Sequence, residues 1–268
     1  MPYPICEPVQ STDDLARAQC AEVLRALSAS GIPFLVGGTY ALRHYTQSAR
    51  PTKDLDVFVR AGDVHRVLDL FGRRGCRVEL PYPHWLGKIF LGGFLTDVIF
   101  SSGNGIATVD DIWFEHGVDV EVCGVPVRLS PPEEMIWSKA FVQERKRFDG
   151  ADVLHLIHHV GARLDWIRLL RRFGRHWRVL LAHLVLFDFA YPDRRDQVPD
   201  WVIVELSARL ITDRGDSSEH VCYGTLLSRQ QYLDDVYIDG YQDGRVEPVG
   251  QMTHGEIAIW TAAIKDDE

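Results

Sequence analysis

Along the first half of the chain the spacing of apolar residues switches repeatedly between two periods. In STDDLARAQCAEVLRALSAS, Leu15, Ala18, Val23, Leu24 and Leu27 recur at the interval of one helix face, and Gly31 then Pro33 stop it. PFLVGG reads as a short buried strand and TYALRHY as the next helix. DLDVFV alternates with period two, the mark of a second strand. AGDVHRVLDLFGRRG is amphipathic and ends at Gly75. CRVEL and KIFLGGFLTDVIF predict further strands, the latter a hairpin turning at Gly92-Gly93, and VDVEVCGVPVRLS predicts another around Gly124. The pattern predicts an α/β first half built on a mixed sheet.

At Ser130 the period settles to that of helices. SPPEEMIWSKAFVQERKRF opens with Ser130, a proline at the first helical position and Glu133 three residues on, which predicts a capping box. Helical spacing continues from Gly150 to Phe187, YPDRRDQVPD reads as a linker, and WVIVELSARL, LLSRQQYLDDV and THGEIAIWTAAI read as helices between Gly- and Asp-rich turns. The expected organisation is an α/β domain over 1–129, a helical domain over 130–190 and a C-terminal extension over 191–268.

Composition narrows the class without naming a function. The chain has 268 residues, 46% hydrophobic and 25% charged, enough for a real core in an ordinary globular protein. A formal charge of -9 argues against indiscriminate coating of nucleic acid. Five scattered cysteines without a C-x-x-C pair argue against a disulfide framework or zinc knuckle. No secretory leader is visible, and VLLAHLVLFDFA is too short and interrupted to span a bilayer, so a cytoplasmic protein with no membrane association is expected.

The chemistry lies in two misplaced pairs of features. Asp54 and Asp56 share one face of an otherwise apolar strand, where like charges repel and each must be desolvated. A divalent cation would reward that arrangement, and hard carboxylate oxygens suit magnesium or manganese. Asp97 is another lone acid in an apolar strand and a candidate third ligand. Gly37, Gly38 and Thr39 lie between strand and helix, where missing side chains and free N–H groups favour a phosphate. The order of parts (strand, Gly-Gly-hydroxyl, helix, Asp-x-Asp strand) sets a phosphate cradle against metal ligands and points to phosphoryl or nucleotidyl transfer.

These motifs resemble the nucleotidyltransferase superfamily of DNA polymerase β. More narrowly, GGTYALRHY…RPTKDLD followed by VPVRLSPPEEMIWSKAFVQERKRFDGADVLHLI is similar to the abortive-infection (AbiEii-like) toxin-type nucleotidyltransferases. Arg50, Thr52, Asp54 and Asp56 match the first block, and Lys139, Arg145, Asp149 and Asp152 the second, over roughly residues 30 to 160. The resemblance implies a nucleotidyltransferase fold, a mixed sheet flanked by helices and followed by a helical domain. It implies an enzyme in which Asp54 and Asp56 ligate Mg2+ or Mn2+ and Asp97 helps activate the acceptor hydroxyl. Gly37, Gly38, Thr39, Arg50, Thr52, Arg145, Asp149 and Asp152 would hold the nucleoside triphosphate, with Lys139 neutralising phosphate charge. The Gly38-to-Asp54 interval is about two residues longer than in compact polymerase-like members, and Thr39 stands where serine is often found. A toxin-like enzyme would act on RNA such as a tRNA end and have an antitoxin protein as partner; a protein side chain or a small, antibiotic-type molecule is the alternative acceptor.

Plainer readings stand beside these. Lys139 can be a surface salt-bridge partner, Arg145 and Asp149 an ordinary helix pair, and Asp152 a cap. His155 and His159 share a helix face but lack a third zinc ligand at matching spacing, so ordinary helix histidines are expected. Arg168, Arg171, Arg172, Arg175 and Arg178, interleaved with Phe173 and Trp177, form either an RNA-facing strip or the outer face of an amphipathic helix. Outside the class, an Asp-x-Asp glycosyltransferase predicts no role for Gly37-Gly38 and a larger sheet before the Asp-x-Asp strand. A catalytically inactive nucleotide-binding module would have little reason to keep all three acids.

Overall fold

The computed structural model describes residues 12–47, 52, 54–213 and 220–263. Helix α1 (Thr12–Ser30) leads into strand β1 (Leu35–Val36), helix α2 (Gly38–Thr46), strand β2 (Asp54–Phe58) and helix α3 (Val64–Gly72). Strands β3 (Arg77–Tyr82), β4 (Leu86–Leu91) and β5 (Phe94–Ile99) follow, then α4 (Asp111–Glu115) and strands β6 (Val118–Val122) and β7 (Val125–Leu129). Helices α5 (Pro132–Ala140), α6 (Gly150–Val160), α7 (Trp166–Phe173), α8 (Trp177–Ala190) and α9 (Asp200–Thr212) come next. The chain closes with β8 (Val221–Cys222), α10 (Leu233–Tyr237), β9 (Gln242–Asp243) and α11 (His254–Ala262).

Seven strands make one mixed sheet in the order β3-β4-β5-β2-β1-β7-β6. β2 runs parallel to β5 and β1 to β7, while the other neighbours are antiparallel. The period-two reading of β2 holds: Leu55 and Val57 are fully buried, whereas Asp54, Asp56 and Phe58 lie half-buried on the other face. The buried side is sealed by α1 through Cys20, Val23, Leu24 and Leu27 and by α3 through Val64, Val67, Leu68 and Phe71, all in one apolar cluster. Both expected hairpins form. Gly92-Gly93 and Cys123-Gly124 adopt left-handed φ at both central positions, the turn that matches strand twist.

The capping box at Ser130 does not form. Ser130 still belongs to the sheet, its N–H donating to the Val36 carbonyl at 2.9 Å, and Pro131 is the residue that caps α5. Glu133 turns away to accept from the Asp165 N–H at 2.7 Å and to pair with Arg168. Nor does α5 run on to Phe148. It ends at Ala140, and residues 141–149 double back so that the Asp149 N–H reaches the Val142 carbonyl at 3.0 Å. That reversal, invisible to periodicity, sets α6 beside α5.

YPDRRDQVPD is not a free linker. Pro192–Gln197 is a 3-10 turn whose Gln197 is buried and whose backbone packs on Gly161. In the last third, α9 and α11 form as expected, but LLSRQQYLDDV keeps only the five-residue α10. The segment packs back on the sheet: Trp260 meets Tyr82 and Trp85 edge-on, and Leu226 accepts from Asn104 at 2.7 Å. Ser228 donates to Glu144 at 2.7 Å, clamping the loop after α5. Among the described residues no helix is long and apolar enough to cross a membrane.

Candidate active site

The parallel pairing of β2 and β5 decides the site. Asp56 and Asp97 are direct partners across the two strands, so both carboxylates leave the same face, with Asp54 two residues along it. Burial raises Asp56 first, then the charges of Asp97 and Asp54, to about 7, against the pull of Lys139 and Arg147. No hydrogen bond to the Asp56 carboxylate is found among the described residues. Asp97 is raised by burial as well, but Lys88 holds it at 2.8 Å. Thr52 fixes Asp54, its hydroxyl donating to Oδ1 at 2.6 Å.

Gly37 and Gly38 press the start of α2 against these acids. The Gly37 N–H donates to the Asp56 carbonyl at 2.9 Å. Gly38 has φ +53, and a Cβ there would lie 1.6 Å from Asp56 Oδ2. Only glycine satisfies both the left-handed backbone and that approach. The first N–H groups of α2 therefore open beside the carboxylates, with Thr39 half-buried in the same turn.

The helical side supplies countercharge. Lys139, near the end of α5, donates to Asp149 at 3.0 Å and to Asp152 at 2.8 Å. Arg147 grips Asp149 through two bonds of 3.0 Å. Burial pushes Asp149 up, but Arg147 and Lys139 outweigh it and hold the carboxyl below its ordinary range. Asp152 is in the first turn of α6, ion-paired to Lys139.

The structure thus brings Asp54, Asp56, Asp97, Gly37, Gly38, Thr39 and Thr52 together on one face at the centre of the sheet, with Lys139, Asp149 and Asp152 on the helical side. Arg145 is exposed in the loop after α5, where its neighbour Arg147 makes the contact to Asp149. Arg50 lies outside the described residues. Two residues went unnoticed in sequence, Lys88 and Arg147. Lys88 was within reach, because a two-residue turn at Gly92-Gly93 sets the register that puts it opposite Asp97.

The arginine strip resolves to structure. Arg168 pairs with Glu133 at 2.5 Å, and Arg172 with Asp110 at 2.6 Å and Glu134 at 3.1 Å. Arg178 reaches the Asp213 carbonyl at 2.7 Å, Arg175 bonds Tyr223, and Phe173 and Trp177 are buried. His158 stacks on Tyr191, and among the described residues no group of three or more histidine, cysteine or acidic side chains is arranged to hold a metal ion.

The comparison with protein families is decisive at the level of class. Residues 5–186 match the model of a family described as "Uncharacterised nucleotidyltransferase". The chain belongs to this nucleotidyltransferase family. No curated protein matches the sequence. Among solved structures, this nucleotidyltransferase is similar to the antibiotic-resistance factor ANT(2'')-Ia at 17% identity, covering 64% of this chain and 98% of that one, TM-score 0.44. It is also similar to the lincosamide antibiotic adenylyltransferase LnuA at 12% identity, covering 52% and 94%, TM-score 0.39. A third is the polyadenylate synthase of Megavirus at 14% identity, covering 63% and 33%, TM-score 0.36.

Proposed function

We propose that this nucleotidyltransferase moves a nucleoside monophosphate from a triphosphate to an acceptor hydroxyl, releasing pyrophosphate, with Mg2+ or Mn2+ held by Asp54, Asp56 and Asp97. The observation that carries the reading is the register of Asp56 on Asp97 beneath Gly38. The donor set fits such cations: three hard carboxylates on one face, with Asp56 destabilised as an anion and free of hydrogen bonds among the described residues. When bound, the cations neutralise triphosphate charge and favour ionisation of the attacking hydroxyl.

The chain's own groups divide the remaining work. The first turn of α2 receives terminal phosphate oxygens at its N–H groups, and the Thr39 hydroxyl lies within the same turn. Lys139 and Arg147 supply positive charge from the opposite wall, oriented by Asp149 and Asp152. Lys88 holds Asp97 in place, and Asp97 accepts the acceptor proton.

A small hydroxyl-bearing acceptor suits the arrangement better than RNA, because the arginines that would have tracked a phosphate backbone are bound to acids of the same chain. The toxin-type motif resemblance supports the other reading, an RNA end as acceptor with an antitoxin as partner. Calorimetry with each of the four nucleoside triphosphates and Mg2+ tests the core claim. Metal-dependent binding in the wild type, weakened at least about tenfold by Asp56→Ala, is expected; no triphosphate binding with either cation defeats it. Incubation with labelled triphosphate and either an RNA pool or small aminoglycoside- and lincosamide-type hydroxyl compounds separates the acceptors.

A further inference from the structure

Helices α8 and α9 pack on each other and leave a large apolar surface bare. On α9, Trp201, Val204, Ala208 and Ile211 follow the spacing of a heptad seam, yet all four are exposed, Val204 at 67% and Ile211 at 76%. The buried face of α9 is a different one, carried by Val202 and Leu206. On α8, Ala182, Val185 and Phe189 repeat the same spacing, also exposed, with Phe189 at 86%. Arg178 continues that line and bonds to the Asp213 carbonyl just past the end of α9, which ties these ends of the two helices together. A solvated helix face normally carries polar residues at these positions.

We infer that this face is an interface between two copies of the chain, in which α9 lies antiparallel to its symmetry mate and α8 flanks the contact. Three arguments select a second copy. A two-fold axis through the α9 midpoint sets Trp201 of one protomer against Ile211 of its partner and Val204 against Ala208. Each pair then sets a larger side chain against a smaller one, the self-complementarity that an isologous contact requires. With Val185, Leu186 and Phe189, these side chains offer on the order of 700 Å² of apolar surface, close to the roughly 800 Å² that each partner gives to a stable interface. The seams are uncharged at their centre, and the ion pair beside them, Arg209 to Glu205, is already closed within α9. An interface with a basic or acidic partner would keep one sign of charge open there. On α8 the exposed residues are set apart from the buried Leu180, Leu184 and Phe187, and none of them belongs to the carboxylate cleft, which assembly leaves clear.

Sedimentation velocity on the full chain, from about 1 to 100 µM, tests this. The wild type is expected at twice the chain mass in the upper range. Val204→Glu sets a carboxylate against the partner's Ala208 and should weaken association roughly a hundredfold or more, leaving circular dichroism and triphosphate binding unchanged. Ile211→Lys, at the other end of the seam, is the second variant and should do the same. A wild type that stays monomeric throughout overturns the inference, and so does an oligomer indifferent to both substitutions. A monomer that associates only when another protein is added assigns the face to that protein and overturns it equally. Since both variants lie outside the cleft, loss of the dimer with retained triphosphate binding bears on this interface alone.

Discussion

Two sets of buried charge in this molecule behave in opposite ways. Beneath α5 and α7, Glu133, Glu134, Arg168, Arg172 and Asp110 form a closed network of acids and guanidinium groups. Burial still leaves Glu134 above its ordinary range although Arg168 and Arg172 both pull it down, and Asp110 is held low because Arg172 more than offsets its desolvation. On the central strands of the sheet, Asp54, Asp56 and Asp97 crowd one face, where Lys88 is the single cation bonded to any of them among the described residues. In the first set every acid is paired with a guanidinium of the same chain, three carboxylates on two arginines, and the set acts as structure. The second is left acid-rich, and its deficit matches a ligand brought from outside.

Breaking the second set should separate activity from stability most sharply. Asp56→Asn is expected to cut turnover by about a thousandfold or more, read as kcat/KM in the transfer assay. Stability should move the other way. A carboxyl whose folded value lies above its unfolded one binds its proton more tightly in the fold. Its destabilisation is therefore absent below 3.8 and grows as pH rises toward about 7. Asp56→Asn should be about 2 kcal/mol more stable than the cation-free wild type at pH 8, a Tm gain of about 5 °C, and equal to it near pH 3.5. Adding Mg2+ should raise the wild-type Tm and leave the variant's little changed.

The paired set predicts the reverse. Arg172→Ala strands Glu134, which is fully buried, and should cost about 3 kcal/mol in urea unfolding while kcat of the folded fraction stays within about twofold. An unchanged midpoint would mean that the network is not structural. The smallest effect is expected at the hydroxyl that orients Asp54: Thr52→Val should lower kcat/KM about tenfold and shift Tm by no more than about 1 °C.

The contrast also explains what could be read from sequence. Asp54 and Asp56 were conspicuous because strand alternation places them against an apolar pattern, and Gly38 because a strand-to-helix joint without a side chain is chemically suggestive. Their convergence with Asp97 needs the pairing of β2 with β5, and the residues between them include a helix and two strands. No local period encodes that. The reversal after Ala140 escaped for a similar reason. ERKRFDG has helical composition, yet Gln143 and Phe148 bridge across a tight loop held by Glu144 and the C-terminal segment. The arginine strip misled in the other direction: its spacing was real, but its partners Glu133, Glu134 and Asp110 come from α5 and the lead-in to α4.

The zero offset between Asp56 and Asp97 has an evolutionary corollary. Adding or deleting one residue within β2 or β5 would turn one acid of the pair inward and erase the centre in a single step. The stretch between β2 and β4 is freer, since a parallel partner can be reached through crossovers of different length, whereas β4 shares the constraint through Lys88 opposite Asp97. Members of this family should therefore differ most in length and sequence between β2 and β4.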